Sequence, residues 1–279
     1  MLKVLKAGFF TSVQDVGRFH HRNKGVPVSG SMDQLSVHKA NTLLENDVNC
    51  AVLEVTMTGP TLIFEEETYI VLAGAIISVT LNNEPVHNYK VYKVHVGDIL
   101  SYGKLEKGFR TYLALKGGFK TKEILGSRSF YLPITNNNRI EEGDTIPYKA
   151  VNSYEPKISE IKVDSFLDEV VLEVYKAPEY ELLTDRQLEI LFSKEFTISK
   201  ENNRMAYQLV EQIEKHNISI LTSATLPGTV QLTPSGKLII LMKDGQTTGG
   251  YPRILQLSDK SISILAQKRE GNTVSFKFI

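Results

Sequence analysis

Helical spacing of apolar residues occurs in only three short stretches of this chain, and this scarcity constrains the fold more than any other feature. The stretches are 33–46, 185–193 and 203–215. Together they cover far less than the third of residues that a typical globular protein places in helices. Thr184 precedes the second stretch and is a typical N-cap residue. The chain is therefore predicted to be mainly β, with a few short helices.

Short β-branched and aromatic runs, separated by turn residues, fill most of the remaining sequence. These runs are 69–72, 89–96, 112–115, 170–175, 238–242 and 273–278. In the last run, Val274, Phe276 and Phe278 alternate with polar residues, which is the pattern of a half-buried strand. Many short strands of this kind indicate a barrel or a sandwich.

The length of 279 residues favours two domains. A weak internal repeat points the same way, because Gly59 followed by 69–72 is matched by Gly228 followed by 238–241. Turn chemistry alone can also produce such a match, so a duplication remains open. The polar stretch 151–162 is the predicted boundary, giving an N-terminal domain over 1–155 and a C-terminal domain over 163–279.

Charge composition argues against a nucleic-acid or anionic-membrane partner, because 32 Lys and Arg residues balance 32 Asp and Glu residues. A protein or a small molecule is the expected partner. The longest nearly apolar run, 69–81, is too short to cross a bilayer. Charged residues near the N-terminus do not fit a signal peptide, and the single Cys50 fits a reducing compartment. We therefore expect a cytoplasmic protein.

The first candidate segment for chemistry runs over 11–18 and continues at 25–33. It leads into a predicted helix N-terminus, where backbone N–H groups and the helix dipole can hold an anion. The alternative is an ordinary capped helix, with Arg18 paired to Asp15 or Asp33. The candidate substrate-binding residues in this segment are Gln14, Asp15, Arg18, Met32 and Asp33.

The second candidate segment, 243–252, follows a predicted buried strand. Asp244-Gly245 is a hairpin signal, but the run that follows adds hydrogen-bond donors and lets the backbone approach another molecule. An oxyanion hole and a plain loop are both consistent with it. The candidate catalytic residues are Asp244, Gln246, Thr247 and Thr248, and the candidate binding residues are Gly249, Gly250 and Tyr251.

Arg204 is a third candidate, because a guanidinium can hold a substrate carboxylate through two hydrogen bonds. A structural salt bridge is the alternative. The histidines show no metal-ligand spacing, so no metal is expected. The sequence also has neither a P-loop nor a Gly-x-Ser-x-Gly elbow, which argues against a self-contained ATPase or a classical serine hydrolase.

An ordered set of motifs resembles the biotin-dependent carboxyltransferase family, which includes the C-type subunit of 5-oxoprolinase, the Kip-type antagonist of a kinase inhibitor, and allophanate hydrolase subunit 2. The matching residues are 11–18, 25–27, 29–33, Ala40-Asn41, Leu53-Glu54, Gly59-Pro60, Gly74-Ala75, 110–114, Gly117-Gly118, 126–129, Arg204-Met205, Gly228, Gln231, Asp244 and 246–252. Some positions depart from the family pattern. Phe130 stands where Thr is common, Ala206 and Gln208 replace Gly and Arg, and Gly245 replaces an Arg, which removes a fixed charge beside the proposed site.

The resemblance implies a cyclophilin-like β-barrel used twice, and a B-type partner subunit of similar fold on a separate chain. It implies an ATP-dependent 5-oxoprolinase that opens 5-oxo-L-proline to L-glutamate together with an A-type subunit, the isolated chain being inactive. ATP is then a requirement of the complex. The alternatives are carboxyl transfer to urea or an amide, with biotin on a partner only, and a non-catalytic Kip-type regulatory subunit.

Overall fold

The computed structural model describes residues 1–279, which form two compact units. The N-terminal unit contains Met1–Arg18 and Ser29–Ser165, and the C-terminal unit contains Phe19–Val28 and Phe166–Ile279. Strands account for 39% of the residues and helices for 12%, which confirms the prediction of a mainly β protein with a few short helices. The division into an N-terminal domain over 1–155 and a C-terminal domain over 163–279 stays a prediction.

The N-terminal unit is built on a nine-stranded antiparallel sheet. The path β2-β3-β8-β4-β1-β9 runs through it, and β5 pairs with β6, β7 and β8. The strands are β1 Leu2–Lys6, β2 Phe10–Gln14, β3 Val52–Thr56, β4 Thr61–Phe64, β5 Thr68–Leu81, β6 Glu84–Val86, β7 Tyr92–Val94, β8 Ile99–Leu115 and β9 Thr145–Ile146. The predicted runs 69–72 and 112–115 lie in the long strands β5 and β8, which pair with each other.

Two apolar clusters hold the N-terminal unit together. One fills the interior of the sheet and includes the fully buried Leu53, Phe64 and Leu113. The other lies under helix α1, Gln34–Leu43, and includes Val37 and Ala40. Both faces of β8 are therefore covered near its end, which accounts for the continuous apolar sequence there.

The C-terminal unit contains a closed seven-stranded barrel in the order β10-β17-β14-β15-β12-β11-β18, with β13 paired to β16 outside it. Closure leaves the barrel without an unpaired edge. The strands are β10 Val171–Lys176, β11 Phe196–Asn202, β12 Ala206–Gln212, β13 Ser223–Ala224, β14 Thr229–Leu232, β15 Lys237–Leu241, β16 Thr248–Gly249, β17 Arg253–Leu257 and β18 Thr273–Phe278.

Each α-helix begins at a side-chain cap. Asp33 caps α1, Thr184 caps α2 (Asp185–Ser193) and Ser258 caps α3 (Asp259–Ala266). Thr184 and Gln187 form a reciprocal capping box, which fixes the start of α2 where the sequence predicts it. Short 3₁₀ turns lie at Arg22–Lys24 and Tyr180–Leu182. None of the helices has the length and apolar character needed to span a membrane.

The predicted helix over 203–215 is wrong, because most of this segment is strand β12. Tyr207 and Leu209 point into the barrel while Val210 is 56% exposed, so the apolar residues follow a period of two. Helix α3 was missed because Ile262, Ile264, Leu265 and Ala266 are all buried, and a helix buried on most sides shows no helical period. Of the predicted strand 89–96, only β7 is regular.

Candidate functional site

The segment 243–252, here called the amide loop, leaves the barrel after β15 and is held against β13. Strand β16 within it pairs Thr248 with Ala224 and Gly249 with Ser223. Thr225 adds two further bonds, since its backbone N–H donates to Thr247 O at 3.1 Å and its hydroxyl donates to Gln246 O at 2.5 Å. Hydrogen bonds to its backbone therefore hold the amide loop in place. The side chains at its surface are not needed for this and can contact a ligand.

Two side-chain amides converge beside Gly249. Gln231, on β14, is 1% exposed, and its Oε1 accepts a long hydrogen bond of 3.4 Å from Gln246 Nε2. Gln231 Nε2 is buried and has no acceptor. A Cβ on Gly249 would overlap Gln231 Nε2 and lie 2.8 Å from Gln246 Nε2. The missing side chain therefore lets both amide nitrogens pack directly against the Gly249 backbone, which places two donors, one of them without an acceptor, side by side.

Gln231 is a candidate site residue that the sequence analysis did not select, although it is among the positions that resemble the family. A buried donor without an acceptor costs on the order of 1–3 kcal/mol, so such an atom calls for a ligand or another explanation. The available signal was a glutamine in the middle of the otherwise buried strand Thr229–Leu232.

The other residues of the amide loop divide into buried and exposed positions. Gln246, Thr248, Gly250 and Tyr251 are exposed, and Thr247 is half-buried. The Tyr251 side chain is 42% exposed. These side chains form the accessible surface of the loop, whereas Gly249 is buried against the two amides.

Arg204 and Asp244 are brought together at the base of the amide loop. Arg204 donates to both carboxylate oxygens, with Nε to Oδ2 at 2.8 Å and Nη2 to Oδ1 at 3.2 Å. Asp244 N–H donates back to Arg204 O at 2.8 Å. Both side chains are about one-tenth exposed. Of the two alternatives for Arg204, the structure displays the salt bridge, which anchors the loop to the turn before β12.

Arg253 and Arg22 contact consecutive carbonyls beside the amide loop. Arg253 Nη1 donates to Ala224 O at 2.6 Å, and its other nitrogens bind Glu179 at 2.7 and 2.8 Å. The hydrogen bonds from Arg253 hold the pKa of Glu179 below its ordinary value. Arg22, from the segment Phe19–Val28, donates through Nη2 to Thr225 O.

In the N-terminal unit, Asp15 and Arg18 organise the segment 124–129 from inside. The Asp15 carboxylate accepts from Gly17 N–H, Arg128 N–H and the hydroxyls of Ser127 and Ser129, at 2.6–2.8 Å. Arg18, which is fully buried, donates to the carbonyls of Ile124 at 3.0 Å and Ser129 at 2.8 Å. These contacts give both residues a positioning role in the loop rather than an ion pair with each other.

Met32 and Asp33, two of the remaining predicted residues of this unit, belong to a second buried network around Glu54. Its Oε2 accepts from Met32 N–H at 2.7 Å and from the Tyr112 hydroxyl at 3.0 Å, and Arg110 Nε lies 3.8 Å from Oε1. Burial, with the Glu54 charge, raises the pKa of Tyr112 well above its ordinary value.

The first turn of α1 is part of the same network. Asp33 N–H donates to the Tyr112 hydroxyl at 2.9 Å, while the Asp33 carboxylate caps the helix through Ser36. Gln14 Nε2 donates to Ser12 Oγ at 2.9 Å and to Phe130 O at 3.3 Å. Gln14, Met32 and Asp33 are each 0% exposed. The predicted helix N-terminus is thus present, and its cap is a side chain of the chain itself.

Comparison with known proteins assigns the chain to a family. Residues 24–278 match the family described as carboxyltransferase domain, subdomain A and B. The chain is 32% identical to the C-type subunit of 5-oxoprolinase from Haemophilus influenzae, over all of this chain and 91% of that protein. It is 31% identical to the corresponding 5-oxoprolinase subunit of Escherichia coli, over 99% of this chain and 90% of that protein.

A solved structure of a longer protein also resembles the chain. The K. lactis urea amidolyase matches 99% of this chain with a TM-score of 0.89 and 26% identity, although the match covers only 18% of the amidolyase. The family match and the two 5-oxoprolinase relatives extend over nearly the full length of this sequence. The chain belongs to the carboxyltransferase domain family, subdomains A and B.

Proposed function

We propose that this chain is the C-type subunit of an ATP-dependent 5-oxoprolinase complex, which opens 5-oxo-L-proline to L-glutamate together with A-type and B-type subunits. The observation that carries the proposal is the similarity to the C-type subunit of 5-oxoprolinase, at 32% identity over 91% of that protein. The urea amidolyase similarity is lower and covers 18% of a much longer chain.

The amide donors beside Gly249 suit the lactam group of 5-oxoproline. Gln231 Nε2 is buried without an acceptor, and Gln246 Nε2 packs beside it against Gly249, so these two donors are the groups to which we assign the carbonyl oxygen. Donors fixed at such a position stabilise charge that develops on the oxygen during reaction, and each contributes about 3–4 kcal/mol in well-studied sites. Gln231 and Gln246 are therefore proposed to hold the lactam carbonyl, with Arg204 and Asp244 positioning the loop that carries Gln246.

ATP supplies the activation that lactam opening needs, because a resonance-stabilised amide resists attack by water. In the proposed reaction the γ-phosphoryl group passes to the lactam oxygen and ADP leaves. Water then adds to the carbonyl carbon, the ring C–N bond breaks, and the nitrogen takes a proton. A second water releases the phosphate, so ATP and two waters are consumed for each glutamate. No residue of this chain is assigned to ATP, which is a co-substrate of the whole complex.

A second candidate function is carboxyl transfer from carboxybiotin to urea or an amide. The family description and the similarity to urea amidolyase favour it. The same amides suit the group, because the ureido oxygen of biotin is an acceptor like a lactam carbonyl. Biotin would carry the carboxyl group and would be attached to a partner. In that case Gln231 and Gln246 orient its ureido ring.

Glutamate release from 5-oxoproline with ATP tests the proposal, using this chain with its A-type and B-type partners and each subunit omitted in turn. We expect activity only from the full set, and none from the isolated chain. The assay buffer is a reducing one, because we propose that the protein is cytoplasmic. Gln231→Ala is expected to lower kcat about 100-fold, since one oxyanion donor is lost. Gln212→Ala, on an exposed face of β12, is the matched control.

The outcomes separate the two candidates. An assembled complex that releases no glutamate, yet consumes ATP and bicarbonate in an avidin-sensitive reaction with urea or an amide, would replace oxoprolinase with carboxyl transfer. A complex whose glutamate release does not depend on this chain would refute the proposal outright.

A further inference from the structure

The guanidinium of Arg22 forms no ion pair with a carboxylate of the chain. Its Nη2 donates to Thr225 O, and its Nη1 is buried with no acceptor. Burial is the sole cause that lowers the pKa of Arg22, and no carboxylate contributes to it. A partly desolvated guanidinium costs free energy unless an anion compensates it.

Arg253 provides an internal comparison for Arg22. The two guanidiniums bind neighbouring carbonyls, those of Ala224 and Thr225. Arg253 is neutralised by the two carboxylate oxygens of Glu179, whereas Arg22 has no such partner. The carbonyls of 224–225 are thus bound by one arginine that has a carboxylate partner in the chain and by one that has none.

Thr225 connects the Arg22 guanidinium with the surroundings of the Gln231 amide. Its carbonyl accepts from Arg22, and its methyl group lies 3.4 Å from the position of a Cβ on Gly249. Gln231 Nε2, which is buried and without an acceptor, overlaps that same position. A cationic donor and a neutral donor, each with one buried nitrogen that has no acceptor in the chain, therefore both lie next to Thr225 and its contacts.

The two arginines considered from sequence for substrate binding are engaged elsewhere. Arg18 donates to backbone carbonyls in the N-terminal unit, and Arg204 is bound by Asp244. These contacts of Arg18 and Arg204 can stay intact if another residue supplies the positive charge that binds the ligand's carboxylate.

We infer that Arg22 binds the carboxylate of a small ligand whose acceptor oxygen is held by Gln231, so that the C-terminal unit selects amides or lactams that carry a carboxylate. The identity of the probe, 5-oxoproline, rests on the proposed function. The selection itself rests on the unpaired cation and the unpaired amide.

The test compares 5-oxoproline with 2-pyrrolidinone, which is the same lactam without the carboxylate. Calorimetric titration of the assembled complex is expected to show 5-oxoproline binding about 10- to 100-fold more tightly, because a charge-assisted hydrogen bond is replaced by none. Raising the salt concentration should weaken only 5-oxoproline. This measurement needs no variant and so does not depend on the folding of one.

Variants then locate the selection. Arg22→Gln should bring the two affinities to within about 3-fold, and Arg22→Lys should retain part of the difference. Lys24→Gln, in the same 3₁₀ turn but exposed, should leave the difference unchanged. Equal affinities in the unaltered complex, no binding of 5-oxoproline, or a difference that survives Arg22→Gln would each overturn the inference.

The proposed function is judged separately by glutamate release from the same preparation. Binding that depends on Arg22 without ATP-dependent glutamate release would keep the inference and reject the oxoprolinase. Turnover whose KM for 5-oxoproline is unaffected by Arg22→Gln would keep the oxoprolinase and reject the inference.

Discussion

Gly249→Ala gives the sharpest test of the close packing of the two amides against Gly249. The added Cβ would overlap Gln231 Nε2 and lie 2.8 Å from Gln246 Nε2. Gln246 is exposed and can swing away, but Gln231 is 1% exposed and has no room to move. Overpacking of a closely packed site costs about 1–3 kcal/mol, so the variant should be destabilised by that amount.

Gly250→Ala is the matched control, because nothing lies within 4 Å of a Cβ there and neither glycine has a positive φ. Both substitutions reduce the entropy of the unfolded chain by the same amount, about 0.4–1 kcal/mol of stabilisation, which cancels in the comparison.

Urea unfolding followed by far-UV circular dichroism measures the difference, and tyrosine fluorescence supports it because the chain has 12 Tyr and no Trp. With a slope of about 2 kcal/mol per molar urea, the midpoint of Gly249→Ala should fall roughly 0.5–1.5 M below that of Gly250→Ala. Equal midpoints would show that the two amides do not pack against Gly249 and would refute the reasoning.

Three further predictions concern the buried charges. Asp15→Ala should lower the free energy of unfolding by about 3–5 kcal/mol, because four donors lose their acceptor, and denaturant unfolding measures this. Arg204→Met should cost about 3–5 kcal/mol by the same measurement, because Asp244 is left buried and unpaired. Arg253 lowers the pKa of Glu179 in the folded protein, so the pair should stabilise the fold fully above pH 4.5. This stabilisation should be lost as the pH falls through the pKa of Glu179 in the folded protein. Unfolding curves recorded at several pH values should show this dependence, and Glu179→Gln should remove it.

Exposed counterparts serve as controls for these three predictions. Asp164→Ala should change stability by less than about 0.5 kcal/mol, and Arg186→Met, whose side chain is 75% exposed, by about 1 kcal/mol or less. Glu181→Gln, at a carboxylate that is 77% exposed, should leave the acid dependence in place. Effects of equal size in the buried and exposed members of any pair would contradict the argument from burial.

Local signals explain what the sequence could predict of the fold. Helix α2 has both halves of a capping box and a clear apolar stripe, and β18 has strict alternation over most of its length. The segment 203–215 was predicted as a helix because its apolar residues fit the spacing of a helix as well as that of a strand. These residues are Ala206, Leu209, Val210 and Ile213. Pairing with β15 decides between the two patterns, and the sequence does not show which strands will be neighbours.

The candidate site was harder to predict than the fold. The amide loop stood out because it combines donors with glycines, but Gln231 lies 15 residues away along the chain and meets Gln246 only through the barrel. Arg18 was predicted as a substrate-binding residue because it lies in a motif that resembles the family. In the structure it is buried and donates to backbone carbonyls instead. The sequence offered no reason to select Arg22, because the feature that distinguishes it is the lack of a carboxylate partner. Spacing along the sequence does not show which arginine will lack such a partner in the folded protein.

The division of the chain between its units bears on the order of events during synthesis. Phe19–Val28 belongs to the C-terminal unit but is separated from the rest of it by Ser29–Ser165. At about 5–20 residues per second, a ribosome needs roughly 7 to 27 s to make that intervening stretch, so the segment with Arg22 waits at least that long for the rest of its unit. A fragment that starts after Val28 contains every strand of the barrel but lacks the Arg22 guanidinium that donates to Thr225 O.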